Sequence, residues 1–426
     1  MRAIIHPSAV HGQMASPSSK STMQRALALA LLHNGSTEIL HPGYSHDDLA
    51  ALGIIESCGA EVIKGNDFIK IISQGKISAD GEINPGESGL SLRMFAPILA
   101  LGSSQLIITG RGSLLNRPVH FFEEVLPMLG VKVTSNNGYL PVKLQGPLQP
   151  KNITIDGSSS SQYLTGLLMA FAAGATKEFS IQVTNLTSRP YVGLTLDMMK
   201  YFGYNVSWQE GDTFKIVPGN SSNPLITYRN ESDWSGAAFL LVAAALSGGA
   251  LVTDLTFESR QADKAILGVL EQSGVHLNYQ ENSITVKDTR NLLPFTFDAT
   301  HAPDLFPPLA ALACYTTGRC EIHGVYRLLH KESNRAASLQ DVFSKMDADI
   351  YIEDDCMVIN GGKALQKASV HSHEDHRIAM AVAVAALRAN GEIILDGAET
   401  VNKSFPEFWN VMKNAGALIN IENNPL

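Results

Sequence analysis

Six stretches of the chain are apolar or small at nearly every position: ALALALLHNG, MFAPILALG, LLMAFAAG, LVAAALSGG, LAALACYTTG and VAVAALRANG. They end at Gly35, Gly102, Gly174, Gly248, Gly318 and Gly391, which recur about every 70 residues. A second series keeps the same interval. In CGAEVI, LGVKVT, FGYNVS, SGVHLN, MDADIY and AGALIN, a helical stretch gives way at Gly59, Gly130, Gly203, Gly274, Asp347 or Gly416 to a short alternating strand. Two independent markers in one register make the repeat a property of the fold rather than of composition.

Within each repeat the pattern predicts an apolar helix with a glycine C-cap, a strand (TEIL, QLIIT, EIIL), an amphipathic helix, and then two strands joined by a turn. FGYNVSWQEGDTFKIV shows the closing hairpin, with Gly211 and Asp212 between its alternating halves. A helix that is apolar all round must lie inside a domain, covered by sheets and other helices. A solenoid, whose helices keep one wet face, does not fit. The chain is therefore read as six α+β units packed in two groups of three, each group enclosing its own apolar helices. Turn-formers between Pro218 and Pro224 mark a loop near the middle, and a second crossing is placed near Ser16 to Ser19. The expected domains are 19–228 and a discontinuous one of 1–18 with 229–426.

Composition narrows the class. A chain of 426 residues exceeds what one core organises, and 45% hydrophobic with 17% charged residues places it among globular rather than disordered proteins. The longest apolar runs, such as Ala237 to Leu246, are too short to span a bilayer, and MRAIIHPSAV lacks a long apolar core with a cleavage site. No membrane partner and a cytoplasmic location are expected. A net charge of −9 without any Lys/Arg-rich stripe argues against nucleic acid, so an anionic substrate must meet a local basic patch. Cys58, Cys314, Cys320 and Cys356 have no CxxC spacing and are read as reduced thiols filling the core.

The chemistry-bearing strings fall just before helices. Helix starts expose unpaired N–H groups and partial positive charge, which suit phosphate and carboxylate. Ser18, Ser19, Lys20 and Ser21 precede a helix carrying Arg25 on a nearby face. DGSSSSQYLTGLL sets Ser160, Ser161 and Gln162 at a helix start. Asn116, Arg117 and Pro118 open the helix around HFFEEVLPML, with the arginine placed for bidentate carboxylate binding, and Ser188, Arg189, Pro190 and Tyr191 repeat that layout.

HKESNRAASL puts Lys331, Glu332 and Arg335 on one turn of helix. Asp304, in HAPDLFPPLA, stands directly before an apolar helix, where desolvation or cationic neighbours tune a carboxylate for proton transfer. Glu374, Asp375, His376 and Arg377 precede IAMAVAVAAL, so the arginine is paired or turned to a cleft. Lys403, Ser404, Phe405 and Pro406 precede the last helix. Taken singly, each string has an ordinary counterpart in an N-cap, a solvated arginine or a charged surface helix; their recurrence at helix starts sets them apart. His371, His373, Asp375 and His376 match an HxHxDH zinc pattern, but no histidine follows His376 to complete the ligand set. No metal is expected; His376 is read as a contact at or behind the substrate, and His371 and His373 as solvated.

In order from SPSSKS to NKSFPEF, essentially the whole chain, these strings resemble the EPSP synthase family of enolpyruvyl transferases. The resemblance implies an α+β fold of two domains, each of three βαβαββ units in an inverse α/β barrel, with the active site in the cleft between them. It implies transfer of the enolpyruvyl group of phosphoenolpyruvate to the 5-hydroxyl of shikimate 3-phosphate by addition and elimination, in the shikimate pathway of aromatic amino-acid biosynthesis. No cofactor and no metal are implied, the partners are these two small molecules, and a monomer that closes on its anionic ligands is expected.

Carried over residue by residue, shikimate 3-phosphate would meet Lys20, Ser21, Arg25, Ser160, Ser161, Gln162, Ser188, Tyr191, Asp304 and Lys331. Phosphoenolpyruvate would meet Lys20, Gly89, Arg117, Gln162, Arg335, Arg377 and Lys403. Asp304 matches the acceptor of the hydroxyl proton, and Glu332 and Lys20 match the groups that move a proton at the methylene carbon. The chain departs from the family at Gly86-Glu87-Ser88-Gly89-Leu90, where a GNAGT-type string is usual, at Ser18 for a glycine, and at Arg327 for an asparagine. The sister family, UDP-N-acetylglucosamine enolpyruvyl transferases, commonly uses a loop cysteine as acid, and no cysteine lies between Cys58 and Cys314. A catalytically inactive anion-binding relative would have lost its proton-transfer groups, whereas Asp304, Glu332 and Lys20 are all present.

Overall fold

The computed structural model describes every residue except 220–222, 330 and 424–426, so the expected Pro218–Pro224 loop lies partly outside the described residues. Six helices open the six repeats: α1 (Lys20–Leu32), α2 (Gly89–Leu99), α3 (Ser161–Gly174), α4 (Trp234–Leu246), α5 (Phe306–Ala313) and α6 (His376–Ala386). Every residue of α2, α4, α5 and α6 is buried, the fate of a helix with no wet face.

The described strands form six four-stranded sheets. In the sheets of the second, third, fifth and sixth repeats the strand before the buried helix runs parallel to the strand after it, and in every sheet but the sixth a hairpin completes the order antiparallel. The second repeat shows the plan in sequence: Gly81–Ile83 pairs in parallel with Gln105–Ile108, which pairs with Tyr139–Gln145, which pairs with Lys132–Asn136. This is the α+β fold of six βαβαββ units.

Three sheets borrow a strand from elsewhere in the chain. Leu225–Arg229 pairs in parallel with Asn34–Leu40, completing the first repeat, and Gln13–Ala15 pairs with Ala250–Thr253, completing the fourth. Arg2–Ile5 lies between Asn390–Asp396 and Ile419–Glu422 in the sixth. The chain accordingly divides into one unit of Met1–Pro17 with Ser232–Leu426 and another of Ser18–Glu231. A boundary at residue 228 would cut through Leu225–Arg229, whose Arg229 is in register with Leu40. Each change of unit comes after the borrowed strand has been delivered.

Each unit encloses its own core. In Ser18–Glu231 the core gathers α1, α2 and α3, with Met94, Phe95, Leu167 and Phe171 at its centre. In the other, α4, α5 and α6 pack against one another, with Phe239, Phe306 and Met380 fully buried. Among the described residues no helix is long and apolar enough to cross a membrane.

Apart from Gly248, which follows Ser247, the C-cap of α4, with φ 93°, the first glycine series does not supply the expected C-caps. His33 caps α1, Ala100 caps α2 and Leu387 caps α6, while Gly35 and Gly391 sit in the strands that follow. Close approach of neighbouring chain explains Gly35, where a Cβ would meet the Pro224 carbonyl oxygen at 2.6 Å. The second series does the capping: Gly59, Gly130, Gly203, Gly274 and Gly416 take φ between 81° and 103°, and Asp347 takes 66°.

One glycine inside a helix sets how closely two of these helices pack. A Cβ on Gly166 of α3 would lie 2.4 Å from the Met94 carbonyl oxygen of α2, so only glycine lets the pair come this close. Gly166→Ala is expected to cost about 1–3 kcal/mol through backbone displacement. Urea unfolding followed by circular dichroism measures it, and an unchanged midpoint would refute this reading.

Candidate active site

In Ser18–Glu231, the starts of the three apolar helices are joined in a ring of side-chain hydrogen bonds. Each start is capped by a serine: Ser19 accepts from the Thr22 amide, Ser88 from Ser91 and Ser160 from Gln162. The Ser88 and Ser91 hydroxyls of α2 donate to Oε1 of Gln24 on α1, at 3.1 and 2.9 Å. Arg93 of α2 donates through Nη1 to Gln162 Oε1 of α3 at 2.9 Å. Thr165 of α3 meets Thr195 at 3.1 Å, and Thr195 accepts from Arg25 Nε of α1 at 2.9 Å.

Cations crowd these helix starts. Gly89 is the first residue of α2, and a Cβ there would lie 2.5 Å from Nη1 of Arg117 and 3.0 Å from Nη1 of Arg93. Both arginines are buried, and Arg93 also lies over the Tyr163 ring. Arg25 is 2% exposed, donates to the Ser21 carbonyl at 2.7 Å and lies 6.0 Å from the Tyr191 ring centroid. Burial brings its guanidinium down to about 10, with Tyr191, Tyr228 and Glu231 resisting. Lys20 pairs with Asp47 at 2.9 Å. Two guanidiniums and the N–H groups of a helix start are chemistry that suits an anion.

The other unit gathers a mixed charge network. Asp304 lies in the 3-10 turn Pro303–Leu305 that runs into α5. Its Oδ1 accepts from Arg335 Nη1 at 2.7 Å and Lys331 Nζ at 3.1 Å, and its Oδ2 accepts from Arg377 Nη2 at 3.0 Å. Burial works to raise this carboxyl, but Arg377, Lys331 and Arg335 outweigh burial and hold it well below the usual carboxylate range. The side chain nevertheless keeps 23% of its surface exposed, so a ligand can reach it.

Arg335 is fully buried and bound on three sides. It meets Asp375 through Nε at 2.8 Å and Nη2 at 3.2 Å, and Glu332 through Nη2 at 2.5 Å. Burial lowers its basicity, and Asp375, Glu332 and Asp304 more than restore it. Lys331 is shifted the other way: burial lowers it, with Asp304 opposing. Arg377 is the second residue of α6, whose N-cap Asp375 accepts from the Arg377 amide at 3.0 Å. Lys403 is buried at the end of the 3-10 turn Ala398–Lys403.

Residues 4–412 match the family described as EPSP synthase (3-phosphoshikimate 1-carboxyvinyltransferase). The chain belongs to that family. A 3-phosphoshikimate 1-carboxyvinyltransferase of Clostridium beijerinckii is 32% identical over 423 residues, covering 97% of each chain. Another, of Methanosarcina mazei, is 35% identical over 428 residues, covering 98% of this chain and 99% of its own. Among solved structures, an EPSP synthase from Acinetobacter baumannii superposes with a TM-score of 0.83 at 28% identity, over 99% of this chain and 100% of its own. The enolpyruvyl transferase NikO from Streptomyces tendae, 16% identical with a TM-score of 0.80, shares the fold.

Several placements differ from the sequence expectation for this EPSP synthase family member. Arg117 closes the 3-10 turn Gly112–Asn116 instead of opening a helix, which begins at His120. Lys331 and Glu332 precede the helix that starts at Arg335, so loop geometry, not helical spacing, brings them to Asp304 and Arg335. Ser188 is the N-cap of Arg189–Tyr201 in a left-handed conformation, without a side-chain cap bond. Arg189 does not repeat the role expected of Arg117: it turns outward onto Asp212 and over the Trp208 ring.

His371 is exposed and His373 meets Asp341 at 2.9 Å, and no group of three or more His, Cys, Asp or Glu among the described residues is arranged to hold a metal ion. Gln24, Arg93, Thr165 and Thr195 escaped the sequence reading. The signal for Gln24 and Arg93 was present: a lone polar residue just inside an otherwise apolar helix has to be paying for burial with a partner. Nε2 of Gln24 and Nε of Arg93 are buried without a hydrogen-bond partner, leaving donors unspent beside Gly89 and the serines.

Gly89→Ala is expected to keep the fold and push Arg117 aside. Isothermal titration with inorganic phosphate should show binding weakened by about tenfold, or roughly 1.4 kcal/mol. Equal affinity in both proteins would mean that the guanidinium at Gly89 holds no anion.

Proposed function

We propose that Asp304, Glu332 and Lys20 move the protons of the EPSP synthase reaction, and that cations of both units bind its two anionic substrates. The family's activity belongs to the shikimate pathway: the enolpyruvyl group of phosphoenolpyruvate is transferred to the 5-hydroxyl of shikimate 3-phosphate. The observation that carries the residue assignment is the Asp304 carboxylate, reachable by ligand yet gripped by Arg335, Arg377 and Lys331.

The three cations make Asp304 a weak base in the free protein. Phosphoenolpyruvate brings a carboxylate and a phosphate that compete for Arg335 and Arg377, and each cation drawn away returns basicity to Asp304. The substrate thus prepares its own proton acceptor. Glu332 or Lys20 supplies a proton to the methylene carbon, C2 becomes electrophilic, and the 5-oxygen bonds to C2 while its proton passes to Asp304. Return of a proton from the new methyl group and cleavage of the C2–O bond to phosphate give the enol ether and inorganic phosphate.

Shikimate 3-phosphate is assigned to Ser21, Arg25, Ser160, Ser161, Gln162, Ser188, Tyr191 and Lys331, with Lys20 and Asp304. Phosphoenolpyruvate is assigned to Gly89, Arg117, Arg335, Arg377 and Lys403, with Lys20 and Gln162. Arg93 joins the second set, because it donates to the Gln162 carbonyl oxygen and so fixes which end of that amide accepts. Both sets belong to one chain, which supports a monomer as the working form, and a cytoplasmic location suits phosphorylated substrates.

Purified protein in EDTA should release phosphate from shikimate 3-phosphate and phosphoenolpyruvate together. Release only with UDP-N-acetylglucosamine, or only after added zinc, would overturn the assignment. Asp304→Ala is expected to fold and to bind shikimate 3-phosphate within about tenfold of the wild type, while kcat falls by about 10²–10⁴. Near-normal turnover would remove Asp304 from the mechanism.

A further inference from the structure

Asp263 is a fully buried carboxyl that the mechanism above leaves unused. It lies in the 3-10 turn Ala262–Ala265, which packs on α4, and it accepts a hydrogen bond from the Ser235 hydroxyl of that helix. The turn is fastened there by Gln261, which donates to the Ser232 carbonyl at 2.7 Å and accepts from the Trp234 amide at 3.0 Å. The turn bearing Asp304 and the helix α6 bearing Arg377 pack on α4 as well. Two acids and one arginine, on three separate elements, therefore surround one helix.

We propose that Asp263 is a positioning residue of the reaction: a buried carboxyl that draws on the charge of Arg377 and so limits how firmly that arginine holds Asp304. This rests on the assignment of Asp304 as proton acceptor. Arg377 donates to Asp304 Oδ2 at 3.0 Å, and Asp304, Asp263 and Asp233 all favour its charged form. Charged groups that act on Asp263 include Asp304 from its turn, Arg377 from α6 and Asp233 from the N-cap of α4. In its own turn, Lys264 is committed to the Phe257 carbonyl at 2.6 Å. Burial first, then Asp304, lifts Asp263 to about 6, against Arg377 and the Ser235 hydroxyl.

A carboxyl raised in this way is neutral at acid pH and charged above about 6. Once charged, it takes a share of Arg377 and repels Asp304, and both effects make Asp304 a better base. Protonation of Asp263 returns Arg377 to Asp304 and slows proton removal.

The test is the ratio of Asp263→Asn to wild-type kcat from pH 5 to pH 8, with shikimate 3-phosphate and phosphoenolpyruvate saturating. Ionisation of the substrates cancels in the ratio. It is expected near one at pH 5, falling through the region of pH 6 to about one-third to one-tenth at pH 8, with both KM values changed less than about threefold. A ratio independent of pH, whether one or uniformly low, would reduce Asp263 to a structural residue.

If Asp263→Asn does not fold, Ser235→Ala decides. Loss of the hydroxyl should move the acid-side midpoint of kcat to higher pH with the alkaline plateau kept, and an unmoved midpoint overturns the proposal. A wild-type protein silent with both substrates would sink the functional reading itself. An active wild type with a flat ratio sinks only the role of Asp263.

Discussion

A helix buried on every side can carry polar groups only at its ends. The thirteen residues of α4 are all buried, and α2, α5 and α6 are enclosed just as completely. Along their lengths, an unpaired polar side chain would carry the full cost of desolvation. At their first turns, four N–H groups must in any case find partners outside the helix. The chemistry of this protein gathers at helix starts because the rest of each helix is closed to it.

The two units settle those first turns differently. In Ser18–Glu231 the caps are serines, which satisfy an amide without neutralising the positive end of the helix. Arg93 and Arg117 add to that potential beside Gly89. In the other unit Asp233 and Asp375 cap α4 and α6, and Asp304 precedes α5. Asp375 and Asp304, together with Glu332, make it tolerable to bury Arg335 outright, since a buried charge needs well-formed partners. A net charge of −9 is compatible with anionic substrates for this reason: in one unit the acids sit where they organise arginines, and in the other the helix caps are neutral serines.

This division explains what could be seen along the chain. The six-fold period was legible because enclosure demands an unbroken apolar run in every repeat, and such runs cannot be hidden. The second glycine series was legible as helix ends, since Gly59 and its counterparts close the second helix of each repeat, whereas Gly35 of the first series makes room for the Pro224 carbonyl and caps nothing. Lys331 and Glu332 show a different limit. Their spacing to Arg335 matches a helical turn, yet they lie in the segment before the helix, and attraction to Asp304 and Arg335 places them. Thr195 had no signal at all, since its partnership with Arg25 spans 170 residues of chain.

The departures from the family string fit the same constraint. Leu90, where a threonine is usual, is buried and joins the core of its unit, so the substitution removes a hydroxyl but no backbone donor. Glu87 packs its carboxylate over Gly112, where a Cβ would come within 2.4 Å of Oε1, and meets the Ser113 hydroxyl at 3.4 Å. That turn ends at Arg117. An acid beside a site for anions would ordinarily repel them, but here its contacts run to the turn that carries the arginine. The donors that remain at the start of α2 are the N–H groups of the helix and the guanidiniums of Arg93 and Arg117. A site built on backbone N–H groups and buried arginine would tolerate side-chain change in its loop, because neither kind of donor is the one that changed.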